Sequence, residues 1–234
     1  MTAYSDEGDE ILLALEESKR FSDWMYSEVK PWLAGSILEI GSGRGTYSKK
    51  IIADHPRSKI ILSDIDPTYL KQLASRFHGE KIKVMKIDLS KRFNAPKVDC
   101  IVALNVLEHI ENDEQALKNI YQILNPKGRF IMLVPAHTQL YGSIDKAAGH
   151  YRRYDHTSLI LKASKAEFRI KSVWYFNFLS IFAWYLNCKI LRRKTVSTKA
   201  MRIFDVIIPV LKPFERIILR KRIGLSLIAV LEKQ

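Results

Sequence analysis

Cysteine is scarce in this chain, and the scarcity excludes two classes at once. Only Cys100 and Cys188 are present, with no Cys-x-x-Cys pair, so neither a disulfide scaffold nor a cysteine-rich metal finger can be built. Both sit in apolar or aromatic runs, where buried free thiols in a reducing compartment are expected. Long apolar runs are lacking too. The nearly uncharged stretch from Val173 to Cys188 falls short of the roughly 20 residues of a spanning helix. It is also interrupted by Asn177, Ser180 and Asn187. The first twenty residues are acidic and lack the charged-then-apolar pattern of a secretory leader, so a cytoplasmic location is expected. No internal repeat or linker-like Gly, Pro or Ser tract appears. At 234 residues and 47% hydrophobic content, one domain with a substantial core is expected.

Acidic residues are few in one late segment. Between residues 189 and 222, eleven lysines and arginines face only Asp205 and Glu215, whereas the first thirty residues carry eight acids against three bases. The formal net charge of +13 is therefore local. Such asymmetry points to an anionic partner, a membrane surface or a nucleic acid, with a merely solvated basic face as the other reading.

What is present centres on SILEIGSGRGTYS, Ser36 to Ser48. An apolar strand runs into a turn with glycines at positions 41, 43 and 45, and a helix begins near Thr46. Alternate glycines let backbone N–H groups approach a ligand closely, and the helix N-terminus adds partial positive charge. A dinucleotide fingerprint needs Gly-x-Gly-x-x-Gly, and its last glycine would fall at Thr46, which disfavours a nicotinamide oxidoreductase.

Further strand–helix units follow in order. A second strand over Lys59–Asp64 ends in an acid about twenty residues past the glycine turn, where an open parallel sheet places a carboxylate for a ribose diol. Asp66 before Pro67 reads as the cap of the next helix. Strands are expected over Lys81–Ile87 (ending at Asp88-Leu89), Val98–Asn105 and Arg129–Pro135, with a helix over Glu111–Leu124. A leading helical region covers residues 9–34. A sixth strand lies near Phe168–Trp174, helical pieces cover Met201–Arg222, and a last strand follows Gly224. This alternation dictates an α/β fold with an open, doubly wound sheet.

The spacing Glu39-x-Gly41-x-Gly43-x-Gly45 resembles the first motif of the class I S-adenosylmethionine-dependent methyltransferases. Asp64-Ile65-Asp66-Pro67 resembles their second motif, and LNPKGRFIMLVP their post-helix turn and strand. The resemblance implies a Rossmann-like sheet of seven strands, mostly parallel with an antiparallel last strand, plus helical insertions. It implies S-adenosylmethionine as cofactor, held by Glu39, Gly41, Gly43, Gly45, Asp64 (on the ribose), Ile65, Asp88 (on the adenine amine), Leu89 and Asn105. The single domain over residues 1–234 then divides into a helical lid (1–35), a cofactor core (36–135), a substrate loop and helix (136–165) and a basic helical insertion (175–222).

The run Leu107-Glu108-His109 resembles small-molecule methyltransferases such as the ubiquinone-pathway O-methyltransferases. In some of those relatives its acids and histidine bind a divalent metal. Asn105 stands where they carry a carboxylate, so no metal is expected. His109 has the intrinsic pKa of a general base. Farther on, Gly149-His-Tyr-Arg-Arg-Tyr154 resembles a bacterial subgroup of mostly unassigned substrate, and it lies in a connection too long to be idle. His150, Tyr151 and Arg153 join His109 as catalytic candidates. The paired Arg152 and Arg153 could clamp a phosphate or carboxylate, or simply pin the loop. The expected acceptor is a small or lipid-linked molecule methylated on oxygen, with peripheral membrane contact through residues 175–222 at the inner membrane face. A nucleic-acid methyltransferase is less expected, because strand four exits as Asn105-Val-Leu-Glu without the Asn/Asp-Pro-Pro-aromatic run. A non-catalytic protein of the same fold is the remaining alternative.

Overall fold

The computed structural model describes residue 13, residues 16–195 and residues 198–234. Its elements in order are α1 (Lys19–Val29), β1 (Ile37–Ile40), α2 (Thr46–Asp54), β2 (Ile60–Asp64), α3 (Pro67–Arg76), β3 (Ile82–Lys86), β4 (Val98–Leu104), α4 (Asp113–Ile123), β5 (Leu124–Pro135), α5 (Ser143–Ala147), α6 (His156–Lys165), β6 (Phe168–Phe176), α7 (Ser180–Trp184), α8 (Thr198–Ile217) and β7 (Ser226–Lys233). Sheet order is β3-β2-β1-β4-β5-β7-β6. Strands β1 to β5 pair in parallel. β7 inserts antiparallel between β5 and β6, with Phe130 opposite Leu231 and Phe168 opposite Lys233. The seven-stranded sheet expected from the sequence is thus present, and its last strand is the antiparallel one.

Local chemistry sets the element boundaries. Asp66 caps α3, accepting from the Thr68 backbone N–H at 2.7 Å with Pro67 at the first helical position, where a missing N–H costs nothing. Asn112 caps α4 by accepting from Gln115 N–H at 3.0 Å, so this helix starts two residues later than the apolar spacing suggests. β5 begins at Leu124 and absorbs the expected turn over Asn125–Gly128, because the β4–β5 register shifts between Val98 and Cys100. Residues 173–188 form no single element. β6 ends at Phe176, Asn177 turns the chain with φ +67°, and α7 continues as a wider turn to Ile190. Among the described residues no helix is long and apolar enough to cross a membrane. Residues 198–217 form one helix rather than a pair, with Pro209 and Pro213 inside it. Of the leading helical region, α1 is observed, whereas Ile11, Leu12 and Leu15 lie outside the described residues.

Successive side chains of a strand point to opposite faces, and the sheet builds two cores on that alternation. Leu38, Ile101, Phe130 and Met132 pack with Leu117 of α4 and Leu159 of α6 on one side. Ile37, Leu62, Val102 and Ile131 pack with Trp24 of α1, Ile51 of α2 and Ile208 of α8 on the other. Both faces are therefore covered, as a largely parallel sheet requires. The tips of β1 and β4 part company at the switch in strand order, which opens a crevice at the carboxyl end of the sheet.

Candidate functional site

The crevice begins at the glycine turn. Gly41, Gly43 and Gly45 all have positive φ, at +71°, +49° and +81°. A Cβ on Gly41 would lie 2.5 Å from Val106, and one on Gly45 would lie 2.6 Å from the Phe77 ring. Only glycine satisfies both the conformation and the space. Gly45 starts α2, which has no side-chain cap, so its first N–H groups remain for a ligand.

Beneath the turn sits Glu39, buried, accepting hydrogen bonds from Ser42 Oγ at 2.9 Å and from Ser48 Oγ. Desolvation pushes its carboxyl up to about 7, against the pull of the two serine hydroxyls. Asp64 is buried as well. Its Oδ2 accepts from Gly43 N–H at 2.8 Å and its Oδ1 from Asp66 N–H at 3.0 Å. Burial raises its pKa, partly countered by these backbone donors and by Ile65 N–H. Glu39 and Asp64 thus knit the turn to the strand tips and are not among the residues that line the cavity. Ile65 is exposed at the tip of β2. Asp88 is half-buried and holds the Ser90 backbone N–H and hydroxyl, whereas Leu89 is buried in the core. These three also lie outside the cavity lining.

The cavity joins Gly41 and Gly43 to Asn105, His109, His150 and Arg153, with Phe21, Met25, Trp184 and Phe204 among its apolar walls. Asn105 reaches its place through a positive φ of +54°, with its N–H bonded to the Leu133 carbonyl at 2.9 Å. His109 and His150, forty-one positions apart, meet edge to face at 4.6 Å between ring centroids. What brings them together is backbone pairing: Tyr151 N–H donates to the Glu108 carbonyl at 2.8 Å and His150 N–H to the Asp145 carbonyl at 2.9 Å.

Asp145 organises this loop, and the sequence reading missed it. It is fully buried. Its carboxylate takes His150 Nδ1 at 3.0 Å, Arg153 Nε at 2.9 and 3.0 Å, and Gly142 N–H at 2.9 Å. Burial alone would raise its pKa, but the His150 hydrogen bond and the Arg153 charge outweigh it and hold the carboxyl below its ordinary range. Arg153 also donates to the Ala136 carbonyl at 3.0 Å and lies 4.4 Å from the Trp184 ring centroid. Arg152 binds the carbonyls of Ile110 and Glu111, each at 2.6 Å, and pairs with Asp113 at 3.3 Å. The arginine pair therefore pins the loop instead of clamping a ligand together. Tyr151 is 54% exposed, lies outside the cavity lining and packs beside Arg152.

Glu108 is the anomaly. It is fully buried, and neither carboxyl oxygen has a hydrogen-bond partner. Desolvation pushes it up to about 7, opposed by the His150 and Arg153 charges. Desolvation holds neighbouring His109 down to about 3. Glu108, His109 and His150 bring one ligand atom each within 4.8 Å of one another. Two imidazoles and a carboxylate suit a borderline divalent ion, and Asn105 is not among this group.

Comparison with known proteins agrees with this geometry. Residues 38–130 match the family model described as a methyltransferase domain. An uncharacterised methyltransferase-like protein of Schizosaccharomyces pombe is 29% identical over 138 residues, covering 56% of this chain and 52% of that protein. A ubiquinone/menaquinone biosynthesis C-methyltransferase of Hahella chejuensis is 28% identical over 104 residues, 42% of each chain. The chain thus spans about half the length of the curated relatives it matches. In fold it is similar to an S-adenosylmethionine-dependent methyltransferase from Mesorhizobium loti, with TM-score 0.63, 14% identity and coverage of 88% of this chain and 96% of that one. A methyltransferase-like structure from Bacillus halodurans gives TM-score 0.61 at 14% identity, covering 89% and 98%. Residues 38–130 thus match a methyltransferase domain, and the strand order gives the chain the fold of the S-adenosylmethionine-dependent methyltransferases it resembles.

Proposed function

We propose that the chain transfers the methyl group of S-adenosylmethionine to an oxygen of a small or lipid-linked acceptor. The observation that carries the reading is one cavity uniting the glycine turn with the His109–His150 pair. The Gly41–Gly45 cradle and the uncapped start of α2 fit the carboxylate end of the cofactor. When bound, the cofactor supplies a cationic methyl donor open to in-line attack. The protein's part is positioning, exclusion of water and removal of the acceptor's proton.

His150 is the group suited to that last task. Asp145 is ionised and buried, so it holds His150 Nδ1 as a donor and leaves Nε2 with a free lone pair. A carboxylate behind an imidazole fixes its tautomer and stabilises the imidazolium that forms on proton uptake. His109, kept neutral by burial, forms the adjoining wall without adding a charge that would repel the sulfonium. Phe21 and Met25 of α1 close the opposite side.

Calorimetric titration with S-adenosylmethionine and S-adenosylhomocysteine tests the cofactor, and radiolabelled methyl transfer into lipid extracts tests the acceptor. Saturable binding is expected for the wild type and for His150→Gln, with methyl transfer lowered by roughly 10²- to 10⁴-fold in the variant. Absence of binding by the wild type would overturn the cofactor reading. Full transfer activity in His150→Gln would overturn the role of His150.

A further inference from the structure

Two helical pieces form part of the cavity wall. Ala183, Trp184 and Asn187 come from α7 and its continuation, and Met201 and Phe204 from α8. Their other faces carry an unusual surface. On α8, Ile203, Val206, Val210, Phe214 and Ile217 are all exposed, Val210 by 74%. They recur every three or four residues and so form one stripe. Phe182, Tyr185, Leu186 and Ile190 extend the apolar surface from the neighbouring piece. Aliphatic area this continuous is rarely left to water.

The exposed charges of this segment are of one sign, and of its bases Arg202 and Lys221 are paired to acids from the residues before α1 and from α1 itself, Glu17 and Glu28. Lys189, Arg192, Arg193, Lys194, Arg216, Arg220 and Arg222 are exposed. The two acids of the segment are both turned inward. Asp205 accepts from Phe21 N–H at 2.8 Å. Glu215 is buried and accepts from the backbone N–H groups of Asn177 and Phe178. Carboxylates that would repel an anionic surface instead fasten α8 to the body of the domain.

We infer that this collar rests on an anionic lipid surface, apolar stripe among the acyl chains and basic side chains on the lipid phosphates. The cavity then opens at the bilayer and receives an amphiphilic acceptor from it. The acceptor clause rests on the methyl-transfer reading; the docking clause does not. A nucleic acid would engage the basic side chains but leave the aliphatic stripe in water, since strands are held by phosphate contacts and aromatic stacking. A second copy docked through the same face would set two strongly basic surfaces against each other. A lipid surface satisfies both the apolar and the charged component.

Flotation of the full chain with vesicles tests this. Binding is expected to phosphatidylcholine vesicles containing phosphatidylglycerol. It should weaken in pure phosphatidylcholine and at about 0.5 M salt. Val210→Asp with Ile217→Asp is expected to lower partitioning roughly tenfold or more while leaving S-adenosylhomocysteine binding unchanged. Should that variant lose S-adenosylhomocysteine binding through misfolding, Arg220→Glu with Arg222→Glu carries the test and must show the same loss of flotation. Failure to float with anionic vesicles overturns the inference, as does unchanged flotation of the variants. So does an RNA gel shift or self-association in place of vesicle binding. Flotation without S-adenosylhomocysteine binding would sink methyl transfer and spare the docking.

Discussion

Glu39 offers the sharpest test of how the cofactor turn is held. The carboxyl lies under the glycine turn, 4% exposed, with two serine hydroxyls as donors. Its pKa rises from 4.5 to about 7, chiefly by desolvation. In the unfolded chain the group ionises at the ordinary value, so between about 4.5 and 7 the native state binds more protons than the unfolded state. Stability therefore falls as pH rises through that window. The contribution amounts to about 3 kcal/mol once Glu39 is ionised in both states. Glu39→Gln keeps an acceptor for one serine and removes the titration. Its amide adds a fixed cost of about 1–3 kcal/mol where its N–H groups lack acceptors, a cost with no pH dependence. Urea unfolding of both proteins from pH 5 to 8 reads the difference directly. Relative to wild type, the variant is expected to gain about 2.5 kcal/mol between pH 5 and 8, whichever protein is more stable at pH 5. Glu108 and Glu215, raised but not coupled to Glu39, cancel in the difference, while Asp64, also raised, acts on Glu39 and enters the difference through that interaction. A difference that stays flat with pH would refute the argument that burial, rather than the serine hydrogen bonds, governs this group.

Two further substitutions address the turn and the loop. Gly45→Ala forces a side chain into φ +81° with its Cβ 2.6 Å from Phe77, at a cost of roughly 2–5 kcal/mol from strain and overpacking together. Equilibrium unfolding checks it, and a loss under half a kilocalorie would mean the turn relaxes freely. Arg153→Met strands the buried Asp145 carboxylate with His150 and Gly142 N–H alone, and a loss of roughly 3–5 kcal/mol is expected. Adding Asp145→Asn should recover part of that loss in a double-mutant cycle; strictly additive effects would show that the two side chains do not depend on each other.

The core of this architecture is legible because each local signal agrees with the next. α2 runs from Thr46 to Asp54, the span that the glycine turn and Pro56 delimit in the sequence. Asp66-Pro67 marks the start of α3 through capping chemistry that acts within three residues. The site is legible only in part, since its decisive contacts join distant segments. Nothing local to Glu108 announces that its backbone will pair with Tyr151, and so His150 as a neighbour of His109 is visible only in the fold. Asp145 sits in a stretch without periodicity, and the one signal that could have found it is an acid placed shortly before a His-x-x-Arg pattern. What the sequence could not show of Asp64 is its setting: residue type and spacing match a ribose acceptor, and in the fold burial and three backbone donors occupy most of its roughly four acceptor sites.

These contacts divide the molecule by the kind of force that holds each part. The sheet and its flanking helices are fastened by apolar side chains such as Phe130, Leu133 and Val230, all fully buried. The elements over the cavity carry discrete polar fastenings in addition: Asp145 to Arg153 and His150, Asp205 to Phe21, and Glu215 to Asn177 and Phe178. Apolar burial is spread over many contacts, so losing one leaves the rest in place. A polar latch is directional, and its net worth is small when water can replace either partner. Parting α1 or α8 from the sheet would therefore cost apolar burial as well as these hydrogen bonds, since Trp24 and Ile208 belong to the second core, whereas the loop around Asp145 is held chiefly by its polar contacts.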